Sequence, residues 1–359
     1  MPEGVNLSSR VVGRLFRQRL WTFIVLRGIN ECQIPGCHHT CIPIPDWAKV
    51  FYNDPTTDKP HAEPIMHSTI AKLLSAAPVV TDGAWGTQLQ RRGLPVGACP
   101  DAWNLTQPEE VAEVARAYVE AGSRVILTNT FGANRFILAR QGLADQVVEI
   151  NRAGVQISHR GASGRAMVFA AVGPSGVMLM MGQVREDDLK AAFVEQAQAL
   201  VQAGADGIVI ETMSDPAEAS LAVAAGHETG LPVVACMTFD SGAKKDRTMM
   251  GATPEQAAEK LAAAGADVIG ANCGQGIAGM VEVCRRLHAA TDRPIWIKAN
   301  AGLPEIVDGQ TVYRQTPAEF VAYVPQLVEA GASFIGGCCG TTPEFIRAVA
   351  ESLRGEDRR

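Results

Sequence analysis

From Pro78 onward the chain repeats one pattern: a stretch with apolar residues at helical spacing, then a short continuous apolar run. Four of these junctions share a small-residue signature: Ala121-Gly122-Ser123 before residues 125–127, Ala203-Gly204-Ala205 before 208–210, Ala264-Gly265-Ala266 before 268–270, and Ala330-Gly331-Ala332 before 334–336. A glycine just past a helix supplies its left-handed cap, and the short β-rich run that follows reads as a buried strand. Four further runs, at 79–80, 168–172, 233–237 and 295–297, lie between these, and Pro78, Pro232 and Pro294 introduce three of them. Helices are expected at 108–120, 186–202, 254–263 and 317–329, among others. Strands buried on both faces and joined by helices form a parallel sheet. Eight of them in about 280 residues, with alternate strands sharing an entry signal, predict an α/β chain folded as a closed (β/α)8 TIM barrel rather than an open doubly wound sheet. No G-x-G-x-x-G follows the first run, which argues against dinucleotide binding.

Residues 1–65 read differently. They carry Pro35, Pro43, Pro45, Pro55, Pro60 and Pro64 and show no sustained periodicity after Leu26. Their cluster Cys32, Cys37, His38, His39 and Cys41 has metal-ligand residue types without the paired C-x2-C and H-x3-H spacings of zinc sites. An irregular or disordered leader is the expectation for 1–65, or a segment upstream of a translation start at Met66, with the functional domain at 66–359. Arginine without acid over 8–27 also matches the composition of an organelle transit peptide.

Composition narrows the function class. The chain of 359 residues is 47% hydrophobic and 19% charged, enough to bury a large core. Its 32 basic and 38 acidic residues give a net charge of −6, so no basic field is available for nucleic acid. The apolar stretch from Trp21 to Leu26 is closed off by Arg19 and Arg27, and no window reaches the roughly 18 to 20 residues of a membrane span, so neither partner is expected and a cytoplasmic location is. Nine cysteines, irregularly spaced, do not read as a disulfide framework. Metal binding or catalysis in a reducing compartment fits better.

In a (β/α)8 barrel the chemistry sits where the strands exit. The exits read Asp82-Gly83, Thr128-Asn129-Thr130, Gly173-Pro174, Glu211-Thr212, Thr238-Phe239-Asp240, Asn272-Cys273, Asn300 and Cys338-Cys339. Three thiols from neighbouring exits, Cys273, Cys338 and Cys339, can converge on one tetrahedral zinc ion and leave its fourth position free. Adjacent cysteines in a regular strand point to opposite faces, so the backbone must turn there, and Gly336, Gly337 and Gly340 allow it. Cys236 and Cys284, and more loosely Cys99, are expected to be buried and inert. A second reading takes the glycines and Thr341-Thr342-Pro343 as an anion site of a phosphate-handling isomerase or lyase, which leaves the thiols unexplained.

At these residues the chain resembles the zinc-dependent homocysteine S-methyltransferases. The resemblance runs from Val79 to about Val349 and rests on Asp82-Gly83-Ala84-Trp85-Gly86-Thr87, Thr128-Asn129-Thr130-Phe131-Gly132-Ala133-Asn134, Asn272-Cys273, Asn300-Ala301-Gly302 and Gly337-Cys338-Cys339-Gly340-Thr341-Thr342-Pro343. Within the family the chain looks most like the homocysteine-binding module of cobalamin-dependent methionine synthase. The resemblance implies that Cys273, Cys338 and Cys339 ligate zinc, with Asn300 a candidate fourth, displaceable ligand. It further implies that Asp82 and Glu211 receive the homocysteine ammonium and backbone amides around Gly83 and Ala84 its carboxylate. Ala299 departs from the proline more usual in the family before Asn300.

The implied reaction is methyl transfer to a zinc-held homocysteine thiolate, giving methionine. Such a site suits it, because only the thiolate is a good nucleophile and a free thiol is mostly protonated at neutral pH. The family draws on methylcobalamin held by a partner, on sulfonium compounds or on betaine. Only 20 residues follow Cys339 and no D-x-H-x-x-G cobalamin signature occurs, so a corrinoid donor is expected on a separate protein. Two alternatives are the same zinc chemistry with another thiol or with a corrinoid protein as methyl acceptor, and a non-catalytic barrel that binds a thiol amino acid or a partner.

Overall fold

The computed structural model describes residues 66–307 and 310–356. The expected leader, with its Cys32, Cys37, His38, His39 and Cys41 cluster, lies outside the described residues. The strands are β1 (Val79–Val80), β2 (Val125–Leu127), β3 (Met167–Val172), β4 (Gly207–Met213), β5 (Val233–Met237), β6 (Val268–Cys273), β7 (Ile295–Ala299), β8 (Pro304–Val307), β9 (Gln310–Tyr313) and β10 (Ala332–Gly337). Eight of them form one parallel sheet in the order β1-β10-β7-β6-β5-β4-β3-β2. A parallel bridge between Thr81 and Val125 joins the two ends and closes the barrel. All eight runs read from the sequence are strands of this barrel. The four small-residue junctions cap their helices as expected, with Gly122, Gly204, Gly265 and Gly331 at φ of +109°, +93°, +102° and +97°.

Two elements differ from the sequence expectation. The helix anticipated over 317–329 is two helices, Pro317–Val321 and Val324–Glu329. Pro325 lacks an N–H and is tolerated only where none is needed, so it sits in the first turn of a new helix and the old one ends at Val321. The second difference is an antiparallel hairpin, β8 and β9, inserted between β7 and the eighth barrel strand, β10. Every residue of β8 is exposed, so no apolar alternation marks it in the sequence.

Side-chain alternation divides the apolar residues into two cores. Residues such as Ile126, Ala170, Ile208, Ala235, Ile269, Ile297 and Ile335 face the helices. The other set, Val79, Leu127, Phe169, Val209, Val234, Cys236, Trp296 and Phe334 among them, fills the barrel interior, and Ile70 and Leu73 of the helix Ser68–Leu74 pack against it. Trp296 is its centre, stacked on Phe169 (centroids 6.4 Å apart) and tilted against Phe334 (5.0 Å). One strand repeat further on, the same inward face turns polar. Val209 gives way to Glu211, Gly270 to Asn272 and Trp296 to Lys298, and all three polar residues are buried. This layer is the floor of a cavity at the strand exits, above a closed hydrophobic plug.

Among the described residues no helix is long and apolar enough to cross a membrane.

Candidate functional site

The cavity is about 580 Å³, and its lining includes Glu211, Thr212, Lys298, Cys273, Cys338 and Cys339, with the rings of Trp85, Phe131 and Tyr313. Strand β6 brings Cys273 to its end, and β10 delivers Cys338 and Cys339 immediately after its last residue, Gly337. The three sulfurs lie within 4.8 Å of one another, and Cys273 Sγ is 3.9 Å from Cys339 Sγ. The backbone turn expected at the paired cysteines is present. Thr341 N and Thr341 Oγ1 both donate to the Cys338 carbonyl, at 3.1 and 2.7 Å, and Cys338 N donates to Ala299 O at 2.7 Å.

Among the described residues, two of the four non-glycine residues with positive φ belong to this floor: Cys273 at +65° and Thr212 at +61°. A β-branched residue there is a backbone outlier that its surroundings must enforce. Asn272 does so for Thr212: its Oδ1 accepts from Thr212 N and its Nδ2 donates to Thr212 Oγ1, both at 2.7 Å. The same Nδ2 approaches Cys338 Sγ at 3.8 Å. One amide thus ties the exit of β4, which carries Glu211, to the thiol cluster.

The thiols perturb one another. Hydrogen bonds from Cys273, then Cys338, hold the Cys339 thiol well below its ordinary value, while Cys273 is pushed far up by its bonds to Cys338 and Cys339 and by burial. Cys339 therefore ionises first, and the three sulfurs could all be thiolates together only with a cation among them. Asn300 is buried and is not among the residues that line the cavity. Its Nδ2 donates to Gly274 O at 2.9 Å, and its Oδ1 is buried with no hydrogen-bond partner among the described residues. The anchored amide leaves one oxygen free beside Ala301, whose N–H donates to the Cys339 carbonyl at 3.0 Å.

The expected head-group residues separate. Glu211 lines the cavity, 8% exposed, and no hydrogen bond reaches its carboxylate among the described residues. Burial pushes its carboxyl up to about 8, against the opposing pull of Lys298. Asp82 is fully buried and its carboxylate is already engaged. One oxygen is ion-paired with Lys298 Nζ, and the other accepts from Trp85 Nε1 and Leu127 N, both at 2.7 Å. Gly83 and Ala84 lie in the cavity wall, but Ala84 N donates to Thr341 Oγ1 at 3.2 Å.

Lys298 and Tyr313 are the residues that sequence reasoning missed. Lys298 carries the only charge in the otherwise apolar β7 run, a signal that was present and reads as a strand end. Tyr313 sits on the unforeseen hairpin and lines the cavity with Cys339, where burial, followed by the charge of that thiol, raises its own proton affinity. The expectation for Cys99 is corrected. It is half-buried on the cavity wall, 3.7 Å from Asp101 Oδ2. Cys236 and Cys284 are buried as expected.

The anion-site alternative finds no cradle at the glycine turn, which is filled by the protein itself. A Cβ on Gly340 would lie 2.2 Å from the Tyr313 ring, and one on Gly337 2.2 Å from Thr341 Oγ1. Gly340 also has φ of +81°. Gly340→Ala is therefore expected to cost about 2–4 kcal/mol from backbone strain and overpacking together. Thermal melts should show a clear loss, while Gly355→Ala, with open space around its Cβ, should show none.

Comparison with known proteins agrees with this geometry. The chain is 31% identical over 300 residues to methionine synthase of Mycobacterium tuberculosis, covering 78% of this chain and 25% of that protein. It is 30% identical over 303 residues to methionine synthase of Mycobacterium leprae, covering 79% and 25%. It thus spans about a quarter of the length of these relatives. Its fold matches the crystal structure of the homocysteine methyltransferase MmuM from Escherichia coli in its metallated form, with a TM-score of 0.67 and 22% identity over 79% of this chain and 99% of that one. The family model described as homocysteine S-methyltransferase matches residues 79–353, and with the strand exits it spans, the chain belongs to the homocysteine S-methyltransferase family.

Proposed function

We propose that the chain is a zinc-dependent methyltransferase that moves a methyl group onto the thiol of homocysteine to form methionine. The observation that carries this reading is the convergence of Cys273, Cys338 and Cys339 within 4.8 Å at the floor of a cavity that also holds the unpartnered carboxylate of Glu211. The donor set fits zinc: three thiolates are soft ligands, and tetrahedral coordination at ~2.3 Å per sulfur places sulfurs about 3.8 Å apart. Cys273, Cys338 and Cys339 would hold the ion, with Asn300 Oδ1 available as the fourth, displaceable ligand. Zinc bound there supplies a thiol of the substrate in its deprotonated, nucleophilic form at neutral pH.

The rest is done by the chain's own residues. Glu211 receives the substrate ammonium and so fixes the distance from head group to sulfur. Asn272 holds Glu211's neighbour Thr212 and reaches Cys338, so the head-group anchor and the thiol cluster keep one spacing. The rings of Trp85, Phe131 and Tyr313 wall the cavity and limit water at the reacting sulfur. In the transfer the substrate sulfur gains the methyl group, and the donor departs with the electrons of the broken bond. The methyl donor is open to a separate corrinoid protein or a small onium compound, and both approach from the exit face.

Two measurements test the proposal. Purified protein is expected to contain about one zinc per chain, by the site's three-cysteine stoichiometry. Incubated with homocysteine and a panel of donors, including a methylated corrinoid protein, a sulfonium compound and betaine, it is expected to form methionine with one of them. A metal-free protein that consumes no homocysteine with any donor would sink the proposal.

A further inference from the structure

Lys298 is an unusual occupant of a barrel interior. Its side chain is 2% exposed, directly above Trp296 on the inward face of β7, and its Nζ is ion-paired with Asp82, which is fully buried. Burying a lysine is costly unless its charge is met, and Asp82 meets it. The other Asp82 oxygen is taken by Trp85 Nε1 and Leu127 N, so three of the carboxylate's roughly four acceptor positions are already filled. Lys298 has donors to spare: an ammonium carries three N–H groups, and a single hydrogen bond, to Asp82, engages it among the described residues.

Lys298 lines the cavity floor together with Glu211 and Cys338, and the charges of Lys298 and Glu211 act on each other. A fixed cation and an unpartnered carboxylate on one floor complement a zwitterion. The backbone cradle expected for the carboxylate is partly used, since Ala84 N already donates to Thr341 Oγ1.

We propose that Lys298 determines the head-group specificity of this cavity: with Asp82 as its fixed counterion, its ammonium receives the carboxylate of an α-amino-acid thiol whose own ammonium is received by Glu211. This rests on reading the cavity as a thiol methyl-acceptor site.

The test is direct binding, by calorimetry on the zinc-loaded full chain, of three thiols of equal length: L-homocysteine, 3-aminopropane-1-thiol, which lacks the carboxylate, and 4-mercaptobutanoate, which lacks the ammonium. Wild type is expected to bind homocysteine about 10- to 100-fold more tightly than the aminothiol, the range for hydrogen bonds to charged groups. In Lys298→Met that preference should vanish, with affinity for the aminothiol changed by less than about 3-fold, whereas a lysine of purely structural importance would weaken all three thiols alike. Because Lys298→Met strands the Asp82 charge, the double variant Asp82→Asn/Lys298→Met removes both charges and should show the same lost preference. Preference for homocysteine retained in either variant overturns the assignment. So does tighter wild-type binding of 4-mercaptobutanoate than of homocysteine, which would mean that Lys298 stands in for the substrate ammonium. If the zinc-loaded wild type binds none of the three thiols, the methyl-acceptor reading fails and the assignment falls with it.

Discussion

Cys273→Ala is expected to lose both bound zinc and methionine formation while the barrel stays folded. Cys273 supplies one of three sulfurs in the donor set; among the described residues Cys236 and Cys284 are buried in the two cores, and Cys99, on the cavity wall, is not one of the thiols gathered within 4.8 Å. Removing an outer-shell partner typically costs roughly 10- to 100-fold in metal affinity. Losing a direct ligand costs more, so zinc measured after gel filtration should fall from about one per chain to background. Turnover should drop by at least about 1,000-fold, since the remaining thiol chemistry depends on the small ionised fraction of free homocysteine. Cys284→Ala is the matched control. Its thiol is buried against the carbonyls of Leu327 and Ala330 on the helix side of the sheet, so it should cost about 1 kcal/mol of stability and leave zinc content and turnover intact. Full zinc occupancy and undiminished turnover in Cys273→Ala would refute the assignment of the centre.

The barrel was legible because each of its strands is short, apolar and punctuated. Gly122, Gly204, Gly265 and Gly331 all adopt the left-handed cap that their position after a helix demands, and that local requirement survives any tertiary context. The thiol cluster was legible for a related reason: once strand exits are located, Cys273, Cys338 and Cys339 must share one end of the barrel. What escaped reading depends on contacts between distant residues. Nothing local distinguishes an Asp82 that is free to bind a ligand from one paired with Lys298 across 216 positions. The hairpin β8–β9 was missed because its exposed first strand carries no alternation, and Tyr313, which it places against Cys339, was missed with it. The extended helix at 317–329 was read through Pro325 because its apolar spacing continues across the break.

Glu211→Gln should separate substrate binding from metal binding. Glu211 is buried, lines the cavity and has no hydrogen-bond partner among the described residues, so its carboxylate is the acceptor left for a substrate ammonium. Replacing it with the isosteric amide removes a charge-assisted hydrogen bond and should raise the homocysteine KM by about 10- to 100-fold. Zinc content should not change, and Lys298 keeps its partner in Asp82.

Stability should respond in the opposite sense. Burial raises the Glu211 carboxyl from 4.5 to about 8 in the folded chain. A group raised in this way favours the fold fully below its unfolded value and loses that contribution as pH climbs through its folded value. Glu211→Gln removes the penalty, so the variant should gain thermal stability relative to wild type between about pH 4.5 and 8, by at most ~5 kcal/mol, and level off above. Binding follows the same titration: wild-type affinity for homocysteine should exceed that of Glu211→Gln by a ratio that grows from pH 6 to about 8, as the carboxyl ionises to meet the ammonium. Melting curves and calorimetric titrations at three pH values across this window check both halves. A ratio that stays flat across it would remove Glu211 from the head-group site.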